Sequence, residues 1–128
     1  MRLFLVRHAH SASGEPDSLR PLSKKGREQA RALGERLAPV SPDAVFTSPL
    51  LRARETATAI ARAAGLEPRS DERLAPGASA EDVLAVVEDA GDTVVVVGHQ
   101  PDCSEIAAAL GAGEHDFAPA GFVEVELA

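Results

Sequence analysis

Leu3-Phe4-Leu5-Val6 runs straight into Arg7-His8-Ala9-His10. Four consecutive apolar residues read as a strand buried on both faces, and the next two side chains are a guanidinium and an imidazole. In open α/β sheets ligands gather at the carboxyl ends of strands. The pattern recurs further along. Thr93-Val94-Val95-Val96-Val97 ends in Gly98-His99, and Asp43-Ala44-Val45-Phe46 ends in Thr47-Ser48-Pro49 with Arg52 just beyond. The strand ends thus offer two histidines and two arginines, with no carboxylate among them. That combination suits a phosphate-like dianion.

The intervening segments carry helical spacing. Ser23 is an N-cap candidate for a helix running to about Leu37, with Ala30, Leu33 and Leu37 facing the core and Pro39 and Pro42 ending it. Ser48-Pro49 reads as N-cap and first-turn proline of a second helix that carries Leu50, Ala53, Ala57, Ile60 and Ala64 inward and stops at Gly65. Glu67–Ser70 forms a short edge strand, and Ser79-Ala80-Glu81-Asp82 resembles a capping box ahead of Val83, Val86 and Val87, with Gly91 closing that helix. Pro101 opens a last helix through Leu110, and Phe122–Leu127 alternates as a final strand. Strand and helix in alternation imply a three-layer α/β/α sandwich around a mostly parallel sheet, one domain over residues 1–128.

Composition narrows the function. The chain has 128 residues, 45% hydrophobic, and a net charge of −7, which disfavours nucleic acid and anionic membranes as partners. An acidic protein with basic strand ends implies a small, focused anion site. The single cysteine, Cys103, has no intramolecular partner and reads as core packing; with no signal peptide or membrane span legible, a cytoplasmic setting is expected. Oligomeric state is not legible.

Each polar candidate has a plainer alternative. Arg52, in the first turn of its helix, opposes the helix dipole, and an adjacent anion accounts for it. Arg54 reads as a surface charge, His10 as an exposed rim residue and His115 as a solvated turn residue. Ser11 could donate to a phosphate oxygen, although a loop serine is more often a turn former. His8, His10 and His99 could in principle ligate a metal, but Arg7 and Arg52 would set positive charge beside the ion, so no metal and no cofactor is expected.

Leu5-Val6-Arg7-His8-Ala9, Ser48-Pro49-Leu50-Leu51-Arg52-Ala53-Arg54-Glu55-Thr56-Ala57 and Val97-Gly98-His99-Gln100-Pro101 resemble, in order and spacing, the signatures of the histidine phosphatase superfamily, whose fold is also called phosphoglycerate mutase-like. Arg20-Pro21-Leu22-Ser23 followed by Gly26 is similar to the segment before the first helix in SixA-type phosphohistidine phosphatases. The resemblance implies His8 as nucleophile, Arg7 and Arg52 as holders of the phosphoryl oxygens, and His99 as a donor to the same oxygens. Ser11 and Gln100 are carried along as substrate-binding candidates.

Two departures bear on the substrate. Ala9 stands where the family commonly has glycine, which is tolerated if the backbone there is not left-handed. Pro76 stands where many members carry a glutamate that protonates an alcohol leaving group; Glu72 and Glu81 are near but off the pattern. With no acid, and with no insertion long enough to roof the site, phosphohistidine displayed on a protein is the favoured substrate. A small-molecule phosphomonoesterase using Glu72 or Glu81, or a phosphoprotein-binding module without turnover, are the alternatives.

Overall fold

The computed structural model describes all 128 residues. Five strands form one sheet in the order β3-β2-β4-β1-β5: β1 (Arg2–Arg7), β2 (Ala44–Thr47), β3 (Arg69–Ser70), β4 (Thr93–Gly98) and β5 (Phe122–Glu126). The first four run parallel and β5 lies antiparallel against β1, completing a mixed, mostly parallel sheet. The helices are α1 (Lys24–Leu37), α2 (Leu51–Ala63), α3 (Ala80–Val87) and α4 (Asp102–Ala109).

The strand sequences dictate two cores because successive side chains point to opposite faces. Leu3, Leu5, Val94 and Val96 pack with Val83, Val87, Ile106 and Cys103 on the α3/α4 face. Phe4, Val6, Val95 and Val97 pack with Leu33, Leu37, Ala57 and Ile60 on the α1/α2 face. Residues 3–6 of β1 are therefore almost wholly buried, as an uninterrupted apolar run requires.

The helix signals hold except at two boundaries, the end of α3, which stops at Val87 well short of Gly91, and the start of α2. Ser23 caps α1 by accepting from the Gly26 amide at 3.0 Å, and Ser79 with Asp82 forms a full capping box on α3. Ser48, however, is not the N-cap of α2. The helix begins at Leu51 with Leu50 at the cap, in extended conformation and without a side-chain bond. Ser48 stays in the strand-end turn because its hydroxyl is engaged by His99.

Gly26 is required by close approach. A Cβ there would collide with the carbonyl of His10, so the β1–α1 loop can lie on the first turn of α1 only over a glycine. Ser23 and His10 lock that approach, the Ser23 amide donating to the His10 carbonyl at 3.0 Å. No helix is long and apolar enough to cross a membrane.

Candidate active site

The sheet order places β4 between β2 and β1, so the residues that follow these three strands are neighbours. Arg7 is in register with Gly98, the His8 amide donates to the Gly98 carbonyl at 3.0 Å, and the Ser48 amide donates to the Val97 carbonyl at 3.0 Å. The His8 and His99 rings meet edge to face, centroids 5.2 Å apart. Arg52 is buried in the first turn of α2, and its charge, with those of Arg7 and Arg20, acts on the His8 ring. Arg7, His8, Arg52 and His99 thus occupy one corner at the carboxyl edge of the sheet.

The tautomer of His8 is set by its own backbone neighbour. Its Nδ1 lies 2.7 Å from the Ala9 carbonyl oxygen. A carbonyl only accepts, so Nδ1 carries the proton and Nε2 keeps its lone pair. Burial, and next the guanidinium groups of Arg52, Arg7 and Arg20, hold its pKa below the ordinary histidine value against the opposing pull of the Ala9 carbonyl. The ring is neutral at neutral pH, as attack on phosphorus demands. Ala9 has no positive φ, so replacing the family's common glycine costs nothing at the backbone. Its amide is anchored to Thr56 Oγ1 at 3.0 Å, and that hydroxyl in turn donates to the Arg52 carbonyl at 2.8 Å.

His99 is buried, with a pKa lowered to about 4 by desolvation, then by His8 and Arg52. Its Nε2 lies 2.7 Å from Ser48 Oγ, and Ser48 Oγ accepts from the Leu50 amide at 3.2 Å. The hydrogen bond to Ser48 fixes the orientation of the His99 ring through Nε2 and leaves Nδ1 without a protein partner.

Arg7 donates from Nη1 to the Phe117 carbonyl at 2.8 Å, while its buried Nε–H has no acceptor in the protein. A buried unpaired donor on a guanidinium is costly unless a ligand oxygen satisfies it. Ser11 Oγ accepts from Arg20 Nη2 at 2.7 Å and belongs to the loop that frames the site. Gln100 holds the start of α4: its amide donates to Ser104 Oγ at 2.7 Å and its side-chain oxygen accepts from the Ser104 amide at 2.9 Å. His10 is exposed and bonds Ser23, Arg54 is exposed, and His115 sits in an exposed turn against the Ala112 carbonyl. Cys103 is core, its thiol pushed up to about 12 by burial.

Three features lie outside what the motifs indicate. The loop from Ser11 to Pro21 does reach the site: Asp17, in a single 3-10 turn over Asp17–Leu19, brings a carboxylate to Arg52, so the cluster is not free of carboxylates. The segment before β5 supplies the Phe117 carbonyl that fixes Arg7. Ser48 orients His99 rather than capping a helix. Of the three, only Ser48, sitting at a strand end, left a trace in the sequence.

Paired imidazoles and guanidiniums at the carboxyl edge of a mostly parallel sheet form a site with the charge and donors to hold a phosphoryl group. The family model for branch 1 of the histidine phosphatase superfamily matches residues 3–76, and the chain belongs to that superfamily as a phosphatase. An uncharacterized protein of Picosynechococcus sp. is 39% identical over 124 residues, covering 89% of this chain and 75% of the relative. The structure of the protein histidine phosphatase SixA complexed with tungstate superposes with a TM-score of 0.87 at 25% identity, covering 99% of this chain and 88% of that one. A probable phosphoglycerate mutase GpmB of Serratia proteamaculans is 38% identical over 81 residues, 58% of this chain but only 37% of the relative.

Proposed function

We propose that this phosphatase removes phosphate from phosphohistidine on a protein, through a phosphoryl intermediate on His8. The reading rests on one observation above the others: His8 keeps a free ring nitrogen beside the guanidiniums, and the carboxylate that reaches this cluster, Asp17, is ion-paired with Arg20 and Arg52. Glu72 and Glu81 are exposed, Pro76 occupies the family's glutamate position, and Asp17 is held below the usual carboxylate range by Arg20 and Arg52. An alkoxide leaving group needs an acid. A phosphorylated imidazole carries its own proton on the second ring nitrogen and departs as neutral imidazole.

In this reading His8 Nε2 attacks phosphorus in line while the substrate P–N bond breaks, the bonding pair leaving with the substrate ring. Arg7 and Arg52 neutralise the oxygens of the transferring group, and His99 donates to the same oxygens. Water then attacks the phosphorus on His8, orthophosphate leaves, and Nε2 regains its lone pair. The likeness to SixA supports the substrate class, since that protein is a protein histidine phosphatase.

The second reading, a small-molecule phosphomonoesterase, is favoured by the partial match to a probable phosphoglycerate mutase. Rapid mixing with a protein labelled at phosphohistidine separates the two. Release of labelled orthophosphate, with transient label on His8, supports the proposal. Turnover of alkyl phosphates at equal or higher kcat/KM would replace it with the second reading.

A further inference from the structure

The loop between β1 and α1 delivers a single carboxylate to the arginine that holds the phosphoryl group. Asp17 Oδ2 accepts from Arg52 Nη2 at 3.3 Å, and the Asp17 main-chain oxygen accepts from Arg52 Nη1 at 2.9 Å. The other carboxylate oxygen, Oδ1, accepts from Arg20 Nη1 at 3.1 Å. Arg20 is itself pinned, its Nε donating to the Ala12 carbonyl at 3.0 Å and its Nη2 to Ser11 Oγ at 2.7 Å. The Asp17 side chain is 64% exposed and that of Arg52 only 9%, so the carboxylate is the solvent-side partner of a buried guanidinium.

We propose that Asp17 is a specificity-determining residue, which admits phosphoryl groups carried on neutral or cationic leaving groups and discriminates against phosphoesters that bear a second anion. The inference rests on reading Arg7, His8, Arg52 and His99 as the phosphoryl site, and it deepens the substrate class given above.

The argument is one of local charge. A phosphoryl dianion entering this corner is held by Arg7 and by whatever part of Arg52 it shares with Asp17. A substrate that brings its own carboxylate, as a phosphoglycerate does, sets that charge a few bonds from phosphorus. Arg20, outside the cluster, and Arg52, within it, both face Asp17. Asp17 cancels one of their two positive charges, so the pull on a second anion is weaker than the arginines alone would give. A phosphoimidazole brings no negative charge on the leaving ring, and a positive one when protonated, which Asp17 attracts. Arg20 keeps the carboxyl ionised, with a smaller contribution from Arg52, so it acts as a fixed charge and not as a proton donor. Because the carboxylate is exposed, screening limits the discrimination to about tenfold or less.

The test compares the full chain with D17N and D17E on two substrates of similar leaving-group basicity, phenyl phosphate and 3-carboxyphenyl phosphate. Tungstate affinity by calorimetry is measured beside them. Asn keeps hydrogen-bonding capacity without the charge; Glu keeps the charge. The kcat/KM preference for phenyl phosphate is expected to fall by about three- to tenfold in D17N and to persist in D17E, with tungstate bound about three- to fivefold tighter by D17N at low salt. A preference unchanged in D17N, equal losses in both variants, or weaker tungstate binding by D17N would overturn the inference and leave Asp17 a tether of the loop. Neither substrate contains histidine, so failure on phosphohistidine proteins would sink the proposed function without touching this result, and the reverse also holds.

Discussion

His8 and His99 face each other edge to face with ring centroids 5.2 Å apart, and burial lowers the pKa of both. Two neutral imidazoles beside buried guanidiniums form a site whose positive charge comes from arginine alone. One ring can therefore attack and the other donate without any exchange of protons between them.

The His8→Ala variant is expected to lose turnover by about a thousandfold or more while remaining folded. His8 lies past the end of β1 and contributes nothing to either core. Steady-state rates together with a urea midpoint check both halves. Near wild-type turnover would remove His8 as the nucleophile.

Loss of the His99 donor should cost less. His99→Ala is expected to lower kcat by about a hundred- to a thousandfold. Ser48→Ala, which removes the hydroxyl that orients His99, should cost about tenfold, seen in kcat rather than in KM. A Ser48 variant as impaired as His99→Ala would mean that the serine touches the reacting group directly.

Acid pH should act on activity and stability in the same direction. His8 must be unprotonated to attack, and its lowered pKa moves the acid limb of kcat/KM below the ordinary histidine value near 6.5. The unfolded chain takes up a proton at position 99 from about pH 6.5 downward, whereas folded His99 does so only near 4. Unfolding therefore binds protons in that window, and stability falls as pH drops from about 6.5 towards 4, by at most about 1 kcal/mol per pH unit from this residue. Urea midpoints should decline less steeply in His99→Gln. An identical slope would show that His99 is not the group responsible.

Rates should depend steeply on leaving-group basicity. Phosphoimidazoles and activated aryl phosphates are expected to be hydrolysed well and simple alkyl phosphates poorly, since no carboxylic acid is placed to protonate an alkoxide. Initial rates on matched aryl and alkyl phosphates, with Glu72→Gln and Glu81→Gln as controls, decide this. Equal rates that collapse on neutralising either glutamate would reveal a general acid.

Gly26→Ala should destabilise the protein by about 1–3 kcal/mol, because the added methyl is driven against the His10 backbone and the loop must lift from α1. Since that loop carries Asp17 and Arg20, oxyanion binding should change along with thermal stability. A variant with unchanged melting temperature would show that the close approach is dispensable.

Much of this molecule is written in local sequence. The apolar runs at Leu3–Val6 and Thr93–Val97 could only be buried parallel strands, and the Ser23 and Ser79 caps mark their helices within a residue, because strand burial and capping depend on near neighbours. The same locality placed Arg7, His8 and His99, each at or just past the end of a strand whose direction the fold class dictates. It misled at Ser48-Pro49, where a standard capping signal was overruled by a hydrogen bond to His99, a residue 51 positions away. Gln100, taken from a family signature, proved to hold the start of α4 instead.

The sequence by itself determined the buried strands, the mostly parallel sheet and the strand-end placement of His8 and His99, because apolar runs and strand-end position are properties of a few consecutive residues. Only the tertiary structure decided that Asp17 meets Arg52 across 35 positions, that the Phe117 carbonyl fixes Arg7 across 110, and that Ser48 engages His99 Nε2 across 51. Those contacts are made by loops whose paths follow from how packed elements converge, and no periodicity in a loop encodes where its side chains end.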